Sequence, residues 1–294
     1  MYPKSFEYFD PETLNDVFQL LETYKEDAKI MAGGQSLIPL MKLRIASPKV
    51  IIDLARVPEL AFIRETHDSK KIEIGALTTH YQIESSQLLK KMCPILSDAA
   101  SVIGDTHIRN KGTIGGSIVH ADPAADLLPC LLALEAEFVI RGNDGERMIP
   151  ANEFFVDYFE TAIEKNEILS KIRVPTLHTG EGSAYLKLST RGTDFAIVGA
   201  AAYLKLKGAD KIVDKCRVAL GGVAKKPIRS IQVENAMMNK KATVEVIGKA
   251  SELLARELDP PSDVHASRDY RLKTAQVYMR RSLELALQRA VAQL

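Results

Sequence analysis

Leu14, Val17, Phe18 and Leu21 recur at steps of three and four between polar residues, the spacing of one apolar face on a helix. Asp10 followed by Pro11 offers that helix an N-cap and a first-turn proline. Residues 29–32 read as a short strand, 37–43 as a buried helical turn and 50–54 as a second strand. Further on, residues 71–75 alternate as a strand and 77–101 is mostly helical. Residues 134–140 alternate and meet an Asn143-Asp144-Gly145 turn, and 168–174 is a strand closed by Pro175. The composition breaks at Thr179-Gly180-Glu181-Gly182-Ser183. Strands at 202–207 and 211–220 follow, joined through Gly208-Ala209-Asp210. Leu272, Ala275, Met279, Leu283, Ala286, Ala290 and Leu294 then predict a last helix with one apolar stripe.

Strand, turn, helix and strand near the start make a small α/β unit. With the later strands and helices segregated, the pattern predicts an α+β chain of three regions, 1–55, 56–176 and 177–294. No internal repeat or low-complexity segment interrupts it.

Composition narrows the class. At 294 residues with 46% hydrophobic and 26% charged positions, the chain can bury a substantial core. Lysine plus arginine (39) nearly balances aspartate plus glutamate (38), so no global field would draw in nucleic acid. No apolar stretch approaches the ~20 residues of a transmembrane helix, and the first residues lack a signal peptide's apolar core. A cytoplasmic location is the expectation, with any attachment to the inner face of a membrane made through partners. Cys93, Cys130 and Cys216 lie far apart in sequence, read as reduced core thiols, and cannot form a four-cysteine cluster. No histidine pairing suggests a metal site.

Candidate chemistry concentrates in two glycine-paired loops, Ala32-Gly33-Gly34-Gln35-Ser36 and Thr113-Ile114-Gly115-Gly116-Ser117. Paired glycines permit positive φ and let a ligand approach backbone N–H groups unhindered by Cβ. Successive amides in such a turn form a nest for an anion. Two nests suggest one ligand with more than one phosphate, gripped from two sides; two ordinary tight turns are the alternative. Neither loop carries Gly-x-Gly-x-x-Gly, Lys111-Gly112-Thr113 reverses the order of a Walker motif, and no Gly-x-Ser-x-Gly elbow occurs. His120, just past the second loop, is either a loop histidine or a ligand contact.

The run from Ala32 to Leu37, then Met41-Lys42-Leu43-Arg44, Thr113-Ile114-Gly115-Gly116-Ser117-Ile118 and His120-Ala121-Asp122-Pro123-Ala124-Ala125-Asp126-Leu127 resemble the FAD-binding medium subunit of molybdenum hydroxylases. That family includes carbon monoxide dehydrogenase and xanthine dehydrogenase, and the likeness covers nearly the whole chain. It implies a PCMH-type FAD-binding fold: two α/β subdomains plus a C-terminal antiparallel sheet with helices. It also implies that Ala32, Gly33, Gly34, Gln35 and Ser36 hold the FAD pyrophosphate, flanked by Ile30, Met31 and Leu37. Thr113, Gly115, Gly116 and Ser117 would form the second contact, with His120 and Asp126 near the ribityl and phosphate portions. Ile168 and Leu169 match positions near the adenine or the ring system, Lys187 a flavin-contacting lysine, and Tyr185 an aromatic against the isoalloxazine. Asp126 as a plain helix cap, and Tyr185 and Lys187 as ordinary strand residues, stay open.

The same resemblance implies an oxidoreductase subunit without catalytic residues or metal of its own. Molybdopterin would sit on a large partner subunit and [2Fe-2S] clusters on a small one, in a dimer of heterotrimers. Electrons would leave through FAD to NAD, a quinone or another acceptor. Two alternatives remain at this point: a non-redox nucleotide-binding or assembly subunit, and a free-standing PCMH-type flavin oxidase.

Overall fold

The computed structural model describes residues 2–68, 70–208 and 210–294. Its N-terminal part is a parallel sheet of β1 (Glu7–Phe9), β2 (Ala28–Met31) and β3 (Val50–Asp53), with β3 in the centre. Between β1 and β2 runs α1 (Leu14–Tyr24), and α2 (Leu37–Lys42) precedes β3. The apolar stripe of α1 is buried, as its spacing requires, against Val50 and Ile52. Its start differs from the expectation at Asp10. Thr13 is the N-cap, its hydroxyl accepting the Asp16 amide at 3.2 Å, while Asp10 is drawn off into an ion pair with Arg56.

Next come β4 (Ile63–Glu65) and β5 (Lys71–Gly75), then a helical stretch. The single helical region expected over 77–101 is three short helices, α3 (His80–Ser85), α4 (Gln87–Met92) and α5 (Pro94–Ser101). Each restart has a local cause: Thr79 and Ser86 cap α3 and α4, and Pro94 opens α5. Then follow α6 (Thr106–Lys111), α7 (Ile114–His120) and α8 (Leu127–Ala133). Helix α8 is buried along its whole length, so it shows no amphipathic period. It also displaces the strand expected from 134. Leu134 closes the helix, Glu135 takes a left-handed φ of 51°, and β6 (Glu137–Gly142) begins only afterwards. The chain continues through β7 (Gly145–Pro150), α9 (Ala151–Phe154), the small hairpin β8 (Phe155–Asp157) and β9 (Glu160–Thr161), and β10 (Ile168–Pro175). Strands β4, β5, β10, β6 and β7 form one antiparallel sheet in that order. On β10, Ile168 packs into the N-terminal core and its neighbour Leu169 into the middle core, so one strand stitches the two together.

The C-terminal part is a four-stranded antiparallel sheet of β11 (Glu181–Leu188), β12 (Val198–Lys207), β13 (Ile212–Gly221) and β14 (Ile228–Arg229). Strand β11 starts inside the composition break at 179–183, where no strand was expected. The first of the next two strands begins four residues early and ends at 207 as expected, the second is shifted by one residue, and Ala209 of the expected turn lies outside the described residues. After them come α10 (Ile231–Met237), α11 (Val244–Glu252), α12 (Leu254–Glu257) and α13 (Arg268–Ala292). Ala275, Met279, Leu283, Ala286 and Ala290 of α13 are buried, Leu272 is half-buried, and Leu294 lies beyond the helix and is exposed.

Strand β11 can lie against α13 only because residue 182 lacks a side chain. A Cβ on Gly182 would overlap the Ala286 carbonyl and the Ala290 backbone. Gly182→Ala is therefore expected to destabilise the fold by about 1–3 kcal/mol through overpacking. Urea unfolding should show a lower midpoint at an unchanged slope. An unaltered midpoint would show that the helix does not rest on β11 this closely.

Candidate functional site

The loop after β2 projects from the C-terminal end of its strand and turns through Gly34, whose φ of 69° suits glycine. Five successive amides, Gly33, Gly34, Gln35, Ser36 and Leu37, donate to no acceptor among the described residues. Ser36 stands at the N-cap of α2 yet makes no capping bond, which leaves the Leu37 amide that opens the helix bare. The loop instead spends its acceptors: Gly34 O takes the Ile38 amide at 3.0 Å and Gly33 O takes Gln35 Nε2 at 3.1 Å. Ala32, Gly33, Gly34, Ser36 and Leu37 are half-buried and Gln35 is exposed, so the amides face an accessible edge.

The second loop is built differently. Thr113 caps α7 by accepting the Gly116 amide at 3.1 Å. Gly115 N donates to Ala76 O at 2.8 Å, Ile114 N to Thr78 O at 3.0 Å, and Ser117 N to Thr113 O at 3.0 Å. Its amides are thus satisfied internally, and the symmetry of two equivalent nests expected from the sequence is broken. What this loop offers is the Thr113 and Ser117 hydroxyls and a surface without side chains.

The two loops meet. A Cβ on Gly33 would collide with the Lys111 carbonyl and Gly112 Cα, and one on Gly116 would sit 3.7 Å from Ala32 Cβ. Beneath Gly112 lies His80, whose amide donates to Gly112 O at 2.9 Å and whose ring would meet any Cβ placed there. His80 is almost wholly buried, and its Nδ1 has no partner among the described residues. Burial, helped by the Arg109 guanidinium, pushes its imidazole down to about 4. Sequence reasoning passed over His80, although the Thr79–Gln82 capping box announces the first turn in which it sits.

The remaining candidates fall into three places. Ile30 is half-buried beside the N-terminal core, and Met31 lies next to Gly34. The His120 ring lies 5.1 Å from that of Phe159 in the β8–β9 hairpin, tilted by 45°; burial lowers its pKa, opposed by Asp122. Ile168 and Leu169 are both buried in cores. Asp126, Tyr185 and Lys187 form a closed cluster: Tyr185 Oη donates to Asp126 Oδ1 at 2.7 Å, and Lys187 Nζ donates to Asp126 Oδ2 and Val102 O, each at 2.9 Å. Burial pushes the Asp126 carboxyl up and the Lys187 ammonium pulls it back, while the Tyr185 phenol is driven well above its usual value. Although Asp126 stands at the N-cap of α8, its side chain makes no capping bond. The three cysteines are free and buried, with burial raising their thiols, which leaves them inert.

A pyrophosphate needs several convergent N–H donors and no Cβ in its path, and the first loop against the second supplies both. Similarity to known proteins shows the family. Residues 4–177 match the FAD binding domain in molybdopterin dehydrogenase, and residues 183–286 the CO dehydrogenase flavoprotein C-terminal domain. The chain is 39% identical to the 6-hydroxypseudooxynicotine dehydrogenase complex subunit alpha of Paenarthrobacter nicotinovorans, covering 99% of this chain and 97% of that protein. It is 36% identical to the glyceraldehyde dehydrogenase medium chain of Sulfolobus acidocaldarius, covering 94% and 96%. A solved carbon monoxide dehydrogenase from Hydrogenophaga pseudoflava, in a form lacking the Mo-pyranopterin moiety of its molybdenum cofactor, superposes with a TM-score of 0.94 at 38% identity, covering 98% of this chain and 99% of that one. The chain belongs to the FAD-binding medium subunits of the molybdenum hydroxylase family and is a flavoprotein subunit of an oxidoreductase complex.

The depressed value at His80 gives a test of the support under the loops. A histidine held neutral when folded adds stability that is complete above its unfolded pKa of about 6.5 and is lost as pH falls toward about 4. Urea unfolding from pH 7 to pH 4 should show the native chain losing roughly 3 kcal/mol more than a His80→Leu variant. Parallel profiles for the two proteins would place the imidazole in contact with water.

Proposed function

We propose that this chain is the electron-exit subunit of its complex, holding FAD between the two glycine loops. Electrons from a molybdenum centre on a large partner would arrive by way of [2Fe-2S] clusters on a small partner, in a dimer of heterotrimers. They would leave to NAD, a quinone or another acceptor. When bound, FAD supplies both one- and two-electron chemistry, and the chain's task is to bind and orient it and to set the surrounding field. The carrying observation is the string of five unsatisfied amides from Gly33 to Leu37 pressed against the second loop.

In this reading those amides receive the pyrophosphate charge, and Thr113 and Ser117 turn their hydroxyls toward the same ligand from the other side. Gly115 and Gly116 contribute by absence of side chain, so that Ala32 and the α7 backbone can close on it. Ile30 and Met31 wall the cradle, and His120 borders it from the end of α7. Asp126, Tyr185 and Lys187 hold β11 to the α8 entrance and place a buried cation on the flavin side of that seam. Ile168 and Leu169 fix β10 behind the ring system. The chain divides in this proposal into units 1–55, 56–176 and 177–294, each built around one of the three main sheets. Substrate choice then rests with the large partner, which suits a family whose relatives are named for such different substrates.

Because the Cβ of Gly33→Ala would force the two loops apart, that variant should retain its fold and lose FAD affinity at least about 100-fold, near 2.7 kcal/mol. Flavin content after gel filtration and a fluorescence titration measure this. The wild-type flavin in the assembled complex should bleach on adding the complex's substrate. Tight FAD binding by the variant, or a flavin that stays oxidised during turnover, would overturn the reading.

A further inference from the structure

We propose that Arg109 is a positioning residue for the flavin, on the reading that FAD lies between the glycine loops. It fixes residues 102–104 at the ring end of the cradle, while the loops hold the pyrophosphate end. Helix α6 joins the two ends. Its last residue, Lys111, lies with Gly112 against Gly33. Val102, shortly before the helix, accepts Lys187 Nζ at 2.9 Å through its carbonyl.

Helix α6 cannot hold that place by itself. It has six residues, none of them buried. An isolated helix shorter than about 12 residues is marginal in water. Asp105 caps it by accepting the Ile108 amide at 2.9 Å, and Asn110 Nδ2 donates back to Thr106 O at 2.7 Å, so both bonds stay within its own turns. The two ends are secured differently. At the C-terminal end the His80 amide donates to Gly112 O, and the amides of Ile114 and Gly115 are tied to Thr78 O and Ala76 O. At the other end the anchor is Arg109. Among the described residues, no other α6 side chain forms a hydrogen bond or ion pair outside the helix and its cap.

The guanidinium spans what it must join. Its Nε donates to Glu84 Oε2 at 2.8 Å, and its Nη1 donates to Ile103 O at 3.1 Å and Gly104 O at 3.2 Å. Glu84 stands on a firm base: Ile83 beside it is wholly buried, and the Ile83 carbonyl accepts Ser97 Oγ at 3.0 Å. Gly104, with a φ of 47°, has no side chain to pin the turn. A planar fork bonded to one carboxylate and two carbonyls sets both the distance and the orientation of that turn, which a point charge cannot. With the fork gone, residues 102–104 are free to shift, and Val102 O to part from the buried Lys187 ammonium. The bare amides from Gly33 to Leu37 would keep their wall, because Gly112 is held from His80.

The test compares FAD with ADP, which carries the pyrophosphate and no flavin, by calorimetry on the full chain freed of cofactor. Circular dichroism verifies that each variant is folded under the titration conditions. Arg109→Gln should weaken FAD about tenfold or more, the scale of lost bonds to a charged group, and ADP less than about twofold. A loss of fold would weaken both probes alike. Arg109→Lys should fall between wild type and Arg109→Gln, since one ammonium cannot meet Glu84 and both carbonyls in the same geometry. Unchanged FAD affinity in Arg109→Gln, equal losses for FAD and ADP, or a lysine variant as tight as wild type overturns the proposal. If the wild-type chain takes up no FAD, or Gly33→Ala binds it normally, the cofactor reading falls and this role of Arg109 with it. A cradle that passes both of those checks and ignores Arg109→Gln overturns the role of Arg109 alone.

Discussion

Gly33 lies directly on the backbone of Lys111 and Gly112, and that contact turns two distant segments into one cradle. A hydrogen at Cα is the largest substituent the junction admits. The contact also explains the unequal loops. The second is anchored from below through Ala76, Thr78 and its own Thr113 cap, and so can act as a fixed wall. The first rests against that wall and keeps its donors free. A rigid face opposite an unsatisfied one is what a bound polyanion needs, since the protein's order is established before the ligand arrives.

Farther along the molecule, the Asp126–Tyr185–Lys187 cluster does for the C-terminal layer what Gly33 does for the N-terminal one. A buried ion pair adds little net stability, but loss of one partner strands the other in an apolar setting. Such a pair therefore fixes register: β11 can meet Asp126, at the entrance to α8, in one position only, with Lys187 also tied to Val102 O. Ile168 and Leu169 impose a similar constraint on β10, because neighbouring residues on a strand must satisfy different cores.

Much of this was legible in the residues. The stripes of α1 and α13 announced their helices because each buries one face. Strand β5 alternates because Ile72 and Ile74 enter the core while Glu73 between them meets Arg64 and Arg173; the glycine pairs marked their loops by residue type alone. Helix α8 did not, being surrounded by core on every side. Strand β11 begins within Thr179-Gly180-Glu181-Gly182-Ser183, whose glycines look like a linker; Gly182 is there for close packing under α13. At the candidate site, the glycines marked two loops that the fold brings together, but nothing local could reveal which loop keeps its amides. That depends on Ala76 and Thr78, nearly forty residues before the amides they accept. His80 was hidden likewise, since its role comes from the chain that folds over it.

Hydrogen exchange resolved at single amides tests the unequal-loop cradle most directly. Without FAD, Gly33, Gly34, Gln35, Ser36 and Leu37 should exchange fast, whereas Gly115 and Gly116 should already be slow. Adding FAD should slow the first group by orders of magnitude and leave the second nearly unchanged. Equal protection of both loops before FAD is added, or a first loop whose exchange FAD does not alter, would contradict the account.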